Sequence, residues 1–214
     1  ILQVITPMLI APILVVLNNK TLSWLLSFLG ALACLFISIL LMQTVSDGSI
    51  LTYYLGGWVP PIGIEYRIDA ANSILLFLIS IISAIVLIFS YSSLHAEIPE
   101  EKHTLFYSCF LLCLTGLLGV VATADIFNVF VFLEISSLST YVLVAQGAYL
   151  DRRALSASFN YLIMGTIGAT FFVIGIGYIY MATGSLNMMD IAERVNQLSD
   201  NRTIQAGFAF IVVG

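Results

Sequence analysis

TADIFNVFVFLEISSLSTYVLVA, residues 123 to 145, carries two ionisable acids: Asp125 at its opening and Glu134 in its interior. From Ile126 to Gln146 no other charge interrupts the run. A helix of about twenty residues rises roughly 30 Å and satisfies its own backbone, which is what crossing a bilayer core demands. Glu134 lies about 13 Å along such a helix and therefore near the midplane.

The surrounding sequence is of the same kind. Apolar residues make up 60% of the 214 positions and charged residues only 9%. The mean hydropathy is +1.07. A water-soluble domain of this size needs polar residues over most of its surface, so these values define a membrane protein. The net charge of −5, with only Arg152 and Arg153 as adjacent cations, excludes a nucleic-acid binder. Cys34, Cys109 and Cys113 lie inside apolar runs without disulfide or metal spacing, and read as small apolar helix residues.

Six complete or nearly complete spans are expected. The first ends near Leu17 and contains Pro7 and Pro12; since the chain does not begin with Met, this span reads as one that has lost its start. The others run over 22–45, 70–94, 104–123, 126–146 and 155 to about 183, and 204–214 reads as the start of a seventh. The fold class is thus an all-α, polytopic transmembrane bundle. The tight turn at Thr123 to Asp125 makes the fourth and fifth spans antiparallel neighbours, with Asp125 capping the fifth. Residues 46–69 contain GGWVPPIG, which breaks helix, and Tyr53 and Trp58 suit the interface. Residues 187–199 read as an amphipathic surface helix opened by Asn187, with Asp190 three positions on. Lys20, Lys102, Arg152 and Arg153 fall on one side, against Arg67, Arg194 and Arg202, so the positive-inside rule places the N-terminus outside.

An ionised carboxylate at the midplane costs about 3 kcal/mol or more. Three arrangements relieve that cost: protonation, a cation on a neighbouring helix, or a hydrated cavity. Each makes Glu134 a residence for a proton or cation, whereas a plain hydrogen-bonding role is open to Asn or Gln. Ser137 and Tyr141 follow on the same helical face, with Asn128, Ser136 and Ser139 nearby, so this face is a candidate conduit lining; close helix approach accounts for the serines equally well. In the sixth span Asn160, Tyr161, Thr166 and Thr170 are interleaved with Gly165, Gly168 and Ala169, a packing pattern first and a lining second. His95 and His103 sit among Glu97, Glu100 and Glu101 in what reads as a solvated loop, outside any span. They form neither a metal site nor haem ligands. No phosphate loop, nucleophile elbow or triad is present, so no catalytic, cofactor-binding or metal residue is assigned.

The 123–145 stretch, together with GIEYRIDAANSILLF, SFNYLIMGTIGATFFVIGIGYIY and TGSLNMMDIA, resembles the antiporter-like family in order along the chain. That family comprises the D-type component of the Mrp sodium/proton antiporters and the related part of their A-type component. It also includes three large membrane components of respiratory complex I (L, M and N) and counterparts in membrane-bound hydrogenases. The wording DIFNVFVFLEISSLSTY and TGSLNM is closer to the Mrp D-type component, with Ala124 standing where the family pattern has Gly. The resemblance implies a fold of roughly fourteen spans with inverted five-helix repeats. Residues 1–103 then hold helices 1–3 of an N-terminal fragment, and 104–214 an incomplete first repeat. It further implies proton translocation through Glu134, facing a lysine on a broken seventh helix that would lie beyond Gly214. A hetero-oligomer of other membrane subunits, a bacterial inner membrane and transport of protons with sodium are implied likewise, without a cofactor. The alternative within the family is a proton-pumping component of complex I or of a hydrogenase.

Overall fold

The computed structural model describes residues 1–198 and 201–214. Eight helices account for most of it. They are α1 (Leu2–Leu17), α2 (Lys20–Val45), α3 (Ala70–Glu97), α4 (His103–Ala122), α5 (Ile126–Gln146), α6 (Arg153–Thr183), α7 (Met188–Gln197) and α8 (Arg202–Val213). Helices α2 to α6 are long and apolar enough to cross a membrane, while α1 is a shorter apolar helix of 16 residues that absorbs Pro7 and Pro12 without breaking. A helix does form in the stretch 187–199, as α7 opened by Asn187, and Ser199 lies outside the described residues.

Helix starts follow local chemistry. Asn19, Asp69, Asp125, Asn187 and Asn201 each accept a hydrogen bond from a backbone amide in the first turn they cap. These side chains occupy donors that hydrocarbon leaves without a partner.

Helix α4 is the axis of the packing, touching α1, α2, α3 and α5. Its Gly116 and Gly119 let α5 come close: a Cβ at Gly116 would stand 2.6 Å from the Phe132 carbonyl, and one at Gly119 would strike the Phe132 ring. Helices α2 and α3 are tied where the Trp24 indole donates to the Leu87 carbonyl at 2.9 Å, and the small residues Ser27, Ala31, Ser80 and Ala84 on these two helices are buried. Dispersion and close backbone approach, rather than a hydrophobic drive, hold such helices together in lipid. In contrast, α5 and α6 leave Leu138 and Ile163 exposed.

The 46–69 connection is more ordered than a helix-breaking loop. It forms an antiparallel hairpin, β1 (Leu51–Tyr54) with β2 (Glu65–Ile68), in the register Leu51↔Ile68 to Tyr54↔Glu65. GGWVPPIG is its tip, and Trp58 and Tyr53 are exposed there. The α4–α5 turn is then clamped from both sides. The Ala124 amide donates to the Glu65 carbonyl (2.8 Å), Ile126 donates to Leu186 (2.9 Å) and Met188 donates to Ala124 (2.8 Å). Buried Glu65 accepts from the Asn187 amide group at 2.8 Å. On the opposite end of the bundle an exposed ion pair joins Lys20 to Glu100. Lys20 holds the exposed Glu100 carboxyl below the usual range, first through their hydrogen bond and then through its charge. Such a surface pair adds little stability.

Asn187 therefore both caps α7 and holds the buried Glu65 carboxylate. Asn187→Ala should lower stability by about 2–3 kcal/mol from the lost cap and the lost charge-assisted bond. Thermal unfolding of the detergent-purified full-length protein would register it as a fall in Tm, whereas replacing exposed Asn160 by Ala should leave Tm nearly unchanged.

Candidate functional site

Asp125 and the clamped turn set where α5 begins, and the helical rise then carries Glu134 to the middle of the span. The two faces of α5 differ. Phe132, Ser136 and Ser139 are buried. Ser136 and Thr140 approach the Cys113 sulfur on α4 at 3.6 and 3.4 Å. Ser139 spends its hydroxyl on the Ile135 carbonyl at 2.6 Å. These serines pack.

Glu134 and Ser137 face the other way, into a cavity of about 360 Å³ bounded by α5, α6 and the end of α8. Phe130 and Leu133 complete the α5 wall, Met164, Gly165, Gly168, Ala169 and Phe172 form the α6 wall, and Ile211 and Gly214 bound it from α8, leaving it half open. Among the described residues the half-buried Glu134 carboxylate makes no ion pair. Open on one side, the cavity admits water beside the carboxylate, so the third of the three compensating arrangements is available.

Tyr141 is buried beside this cavity without lining it. Its hydroxyl rests against Gly165 where a Cβ would otherwise be. The Tyr141 ring meets that of Tyr161 edge-on at 5.2 Å, and Ser158 Oγ donates to the Tyr141 carbonyl at 2.8 Å. Asn128 is held at the turn, donating to Thr123 Oγ1 at 3.1 Å, and Asn160 is exposed on α6. Of the candidate residues, the fold thus gathers Glu134, Ser137 and Tyr141, and leaves Asn128 and Asn160 outside the cavity, toward its two ends. Thr166 and Thr170 bond their own carbonyls at 2.7 Å.

Both histidines lie on helices rather than in a loop, and His103 departs from the solvated reading while His95 stays exposed. His95 lies in the last turn of α3 and His103 opens α4 with its ring fully buried. Their rings lie edge-on at 4.9 Å, and each uses one nitrogen on a backbone carbonyl, Tyr91 at 2.7 Å and Ile98 at 2.9 Å. The α3–α4 connection is so short that both rings fold back onto helix ends. No cluster of three or more His, Cys, Asp or Glu suited to a metal is found among the described residues.

Among the buried polar residues that sequence reasoning missed are Gln3 on α1, Glu65 on β2 and Gln146 at the end of α5. Nothing in the hydropathy pattern around Glu65 announces its burial, since its partner is 122 positions away. The Gln146 amide has no hydrogen-bond partner at either atom among the described residues.

Residues 123–214 match the family described as NADH:quinone oxidoreductase/Mrp antiporter, TM. The chain belongs to that family. The N component of an NADH-quinone oxidoreductase from Desulforudis audaxviator is 42% identical over 177 residues, covering 83% of this chain and 34% of that protein. A putative antiporter component, mnhD2, from Staphylococcus aureus is 34% identical over 206 residues, 95% of this chain and 40% of the relative. Among solved structures, an archaeal membrane-bound sulfane sulfur reductase superposes with a TM-score of 0.91 at 33% identity, over 99% of this chain and 43% of that one. The chain therefore spans less than half the length of these relatives. It is an integral membrane protein with the antiporter-like fold.

Asp125 sits outside the spans, and burial pushes its carboxyl above the usual range against the opposing pull of backbone amides from Asn128 and Phe127. An acid whose folded pKa is raised contributes stability that is present below its unfolded pKa and is lost as pH rises through the folded value. Asp125→Asn keeps the cap and removes the charge. Its Tm should match or exceed that of the parent above the carboxylate range and lose the corresponding pH dependence. Melting curves of the two proteins, run from acidic to neutral pH, would show it.

Proposed function

We propose that this chain forms part of the proton-translocating membrane subunit of a multisubunit cation (sodium)/proton antiporter, with Glu134 as the carboxylate that takes up and releases the proton. The observation that carries this reading is a mid-span acid that makes no ion pair among the described residues, facing a cavity large enough to be hydrated. Packing gives no reason to keep an acid there.

The arrangement of α8 supports the mechanism. A Cβ on Gly175 would stand 2.6 Å from the Gly207 carbonyl, and one on Gly168 2.7 Å from that of Gly214. Seven residues along α8 thus answer seven residues back along α6. A helix prolonged in this register brings its next turn beside Met164 and Gly165, both walls of the Glu134 cavity. A lysine there, as the family resemblance implies, would favour ionised Glu134; its withdrawal in a low-dielectric site drives protonation. Alternating the two arrangements carries a proton between half-channels. Ser137 and Tyr141 extend the polar face from Glu134, with Asn128 and Asn160 as outer polar positions.

Other membrane subunits are the partners in this proposal. The bacterial plasma membrane is the site, with the N-terminus outside and Lys20, Lys102, Arg152 and Arg153 on the cytoplasmic side. A second reading keeps the same proton path and drives it by redox chemistry elsewhere in a respiratory complex. The 42% identity to an oxidoreductase component and the fit to an archaeal respiratory complex favour it.

Glu134→Gln in the full-length protein, assembled in its complex and reconstituted in vesicles, should reduce proton transport by about a hundredfold or more, the scale of losing a positioned acid or base. Glu134→Asp should retain part of it. Transport by Glu134→Gln at the parental rate would end the proposal. Whether an imposed sodium gradient or added electron donor drives the flux decides between the two readings.

A further inference from the structure

We propose that the Tyr141 hydroxyl, seated over Gly165, is the proton relay next to Glu134. The inference rests on the reading of Glu134 as the proton-loading group and adds a named second station with its steric seat. Glu134, Ser137 and Tyr141 stand at i, i+3 and i+7 on one face of α5. The axial steps between their backbone positions are about 4.5 and 6 Å, the scale of a chain of one or two waters. Glu134 and Ser137 line the cavity, and so does Gly165, against which the Tyr141 hydroxyl rests.

The placement of that hydroxyl is specific. Tyr141 is only 7% exposed, and its ring is held by the edge of Tyr161 while Ser158 fastens its backbone carbonyl to α6. A phenylalanine would fill the same space. Buried tyrosines direct their hydroxyls to a partner, yet among the described residues this hydroxyl lies against a glycine where any side chain would exclude it. The absent Cβ at Gly165 therefore leaves the only polar atom of the Tyr141 side chain directly behind a residue of the cavity wall. Water that passes this glycine from the cavity is the partner it can serve.

The transfer balances without charging the ring. The Tyr141 oxygen accepts a proton from a water on one side as its own hydrogen passes to a water on the other. One O–H bond forms and one breaks, the phenol ends neutral, and one proton has advanced toward or away from the Glu134 carboxylate.

The test uses the full-length protein in its assembled complex. Tyr141→Phe removes one oxygen and keeps the packing. It should slow proton transport by about tenfold or more, at the lower edge of what a positioned proton-transfer group supplies. It should also shift the infrared carbonyl stretch of protonated Glu134, the band identified by its loss in Glu134→Gln. Gly165→Ala, whose methyl would displace the hydroxyl, should reproduce both effects; if it fails to assemble, Tyr141→Phe alone decides. Slowed transport with an unshifted band means that Tyr141 only packs, and overturns the relay. A parental rate overturns it whatever the band does. If Glu134→Gln is inactive while Tyr141→Phe is not slowed, the relay alone falls; if Glu134→Gln transports normally, the reading of Glu134 falls first.

Discussion

Hydrocarbon offers no hydrogen bonds, so every backbone group in this chain that leaves a helix must find its partner within the protein. The segment Thr123 to Asp125 shows how that constraint is met. It is two to three residues of extended chain joining the most deeply packed helix to the one that carries the buried acid. The β-hairpin supplies partners on one flank and the α6–α7 connection on the other. Glu65 and Asn187 lock those flanks to each other. The start of α5 is thereby fixed in depth, and the position of Glu134 follows from it by helical rise alone.

Differences in neighbouring side chains then divide α5 into a packing face and a cavity face. Gly116 and Gly119 bring α4 close enough to bury Phe132 and Ser136. On the other side the glycines of α6 are covered by other groups, Gly165 by the Tyr141 hydroxyl and Gly168 by the Gly214 carbonyl, while the space beside Glu134 stays open between α5, α6 and α8. The same residue type thus seats a phenylalanine ring at Gly119 and a single hydroxyl at Gly165.

The spans, their caps at Asp125 and Asn187, the surface helix after them and the mid-span depth of Glu134 were legible in the sequence because each depends on contiguous residues. Hydropathy runs and capping side chains act within a turn or two. The hairpin was not legible: strands of four residues separated by a glycine and proline tip carry too little alternation to register. The burial of Glu65 depends on a partner more than a hundred positions away. The burial of His103 depends on the way a short connection returns to the bundle. Helical spacing set Ser137 on the face of Glu134 and apart from Ser136 and Ser139, whereas the burial of those two against their neighbours required the packed helices. Tyr141 was visible as a same-face residue, whereas its seat on Gly165 required both helices in place.

The lengths of the helices differ in a way that bears on the bilayer itself. The 21 residues of α5 rise about 31 Å, close to the thickness of the lipid interior, while the 31 residues of α6 rise about 46 Å and must tilt or protrude. Because Ser158 and Gly165 tie α6 to Tyr141, any change of tilt that accommodates a thicker or thinner membrane is passed directly to the wall opposite Glu134. Acyl-chain length is in this way a mechanical input to the environment of the acid.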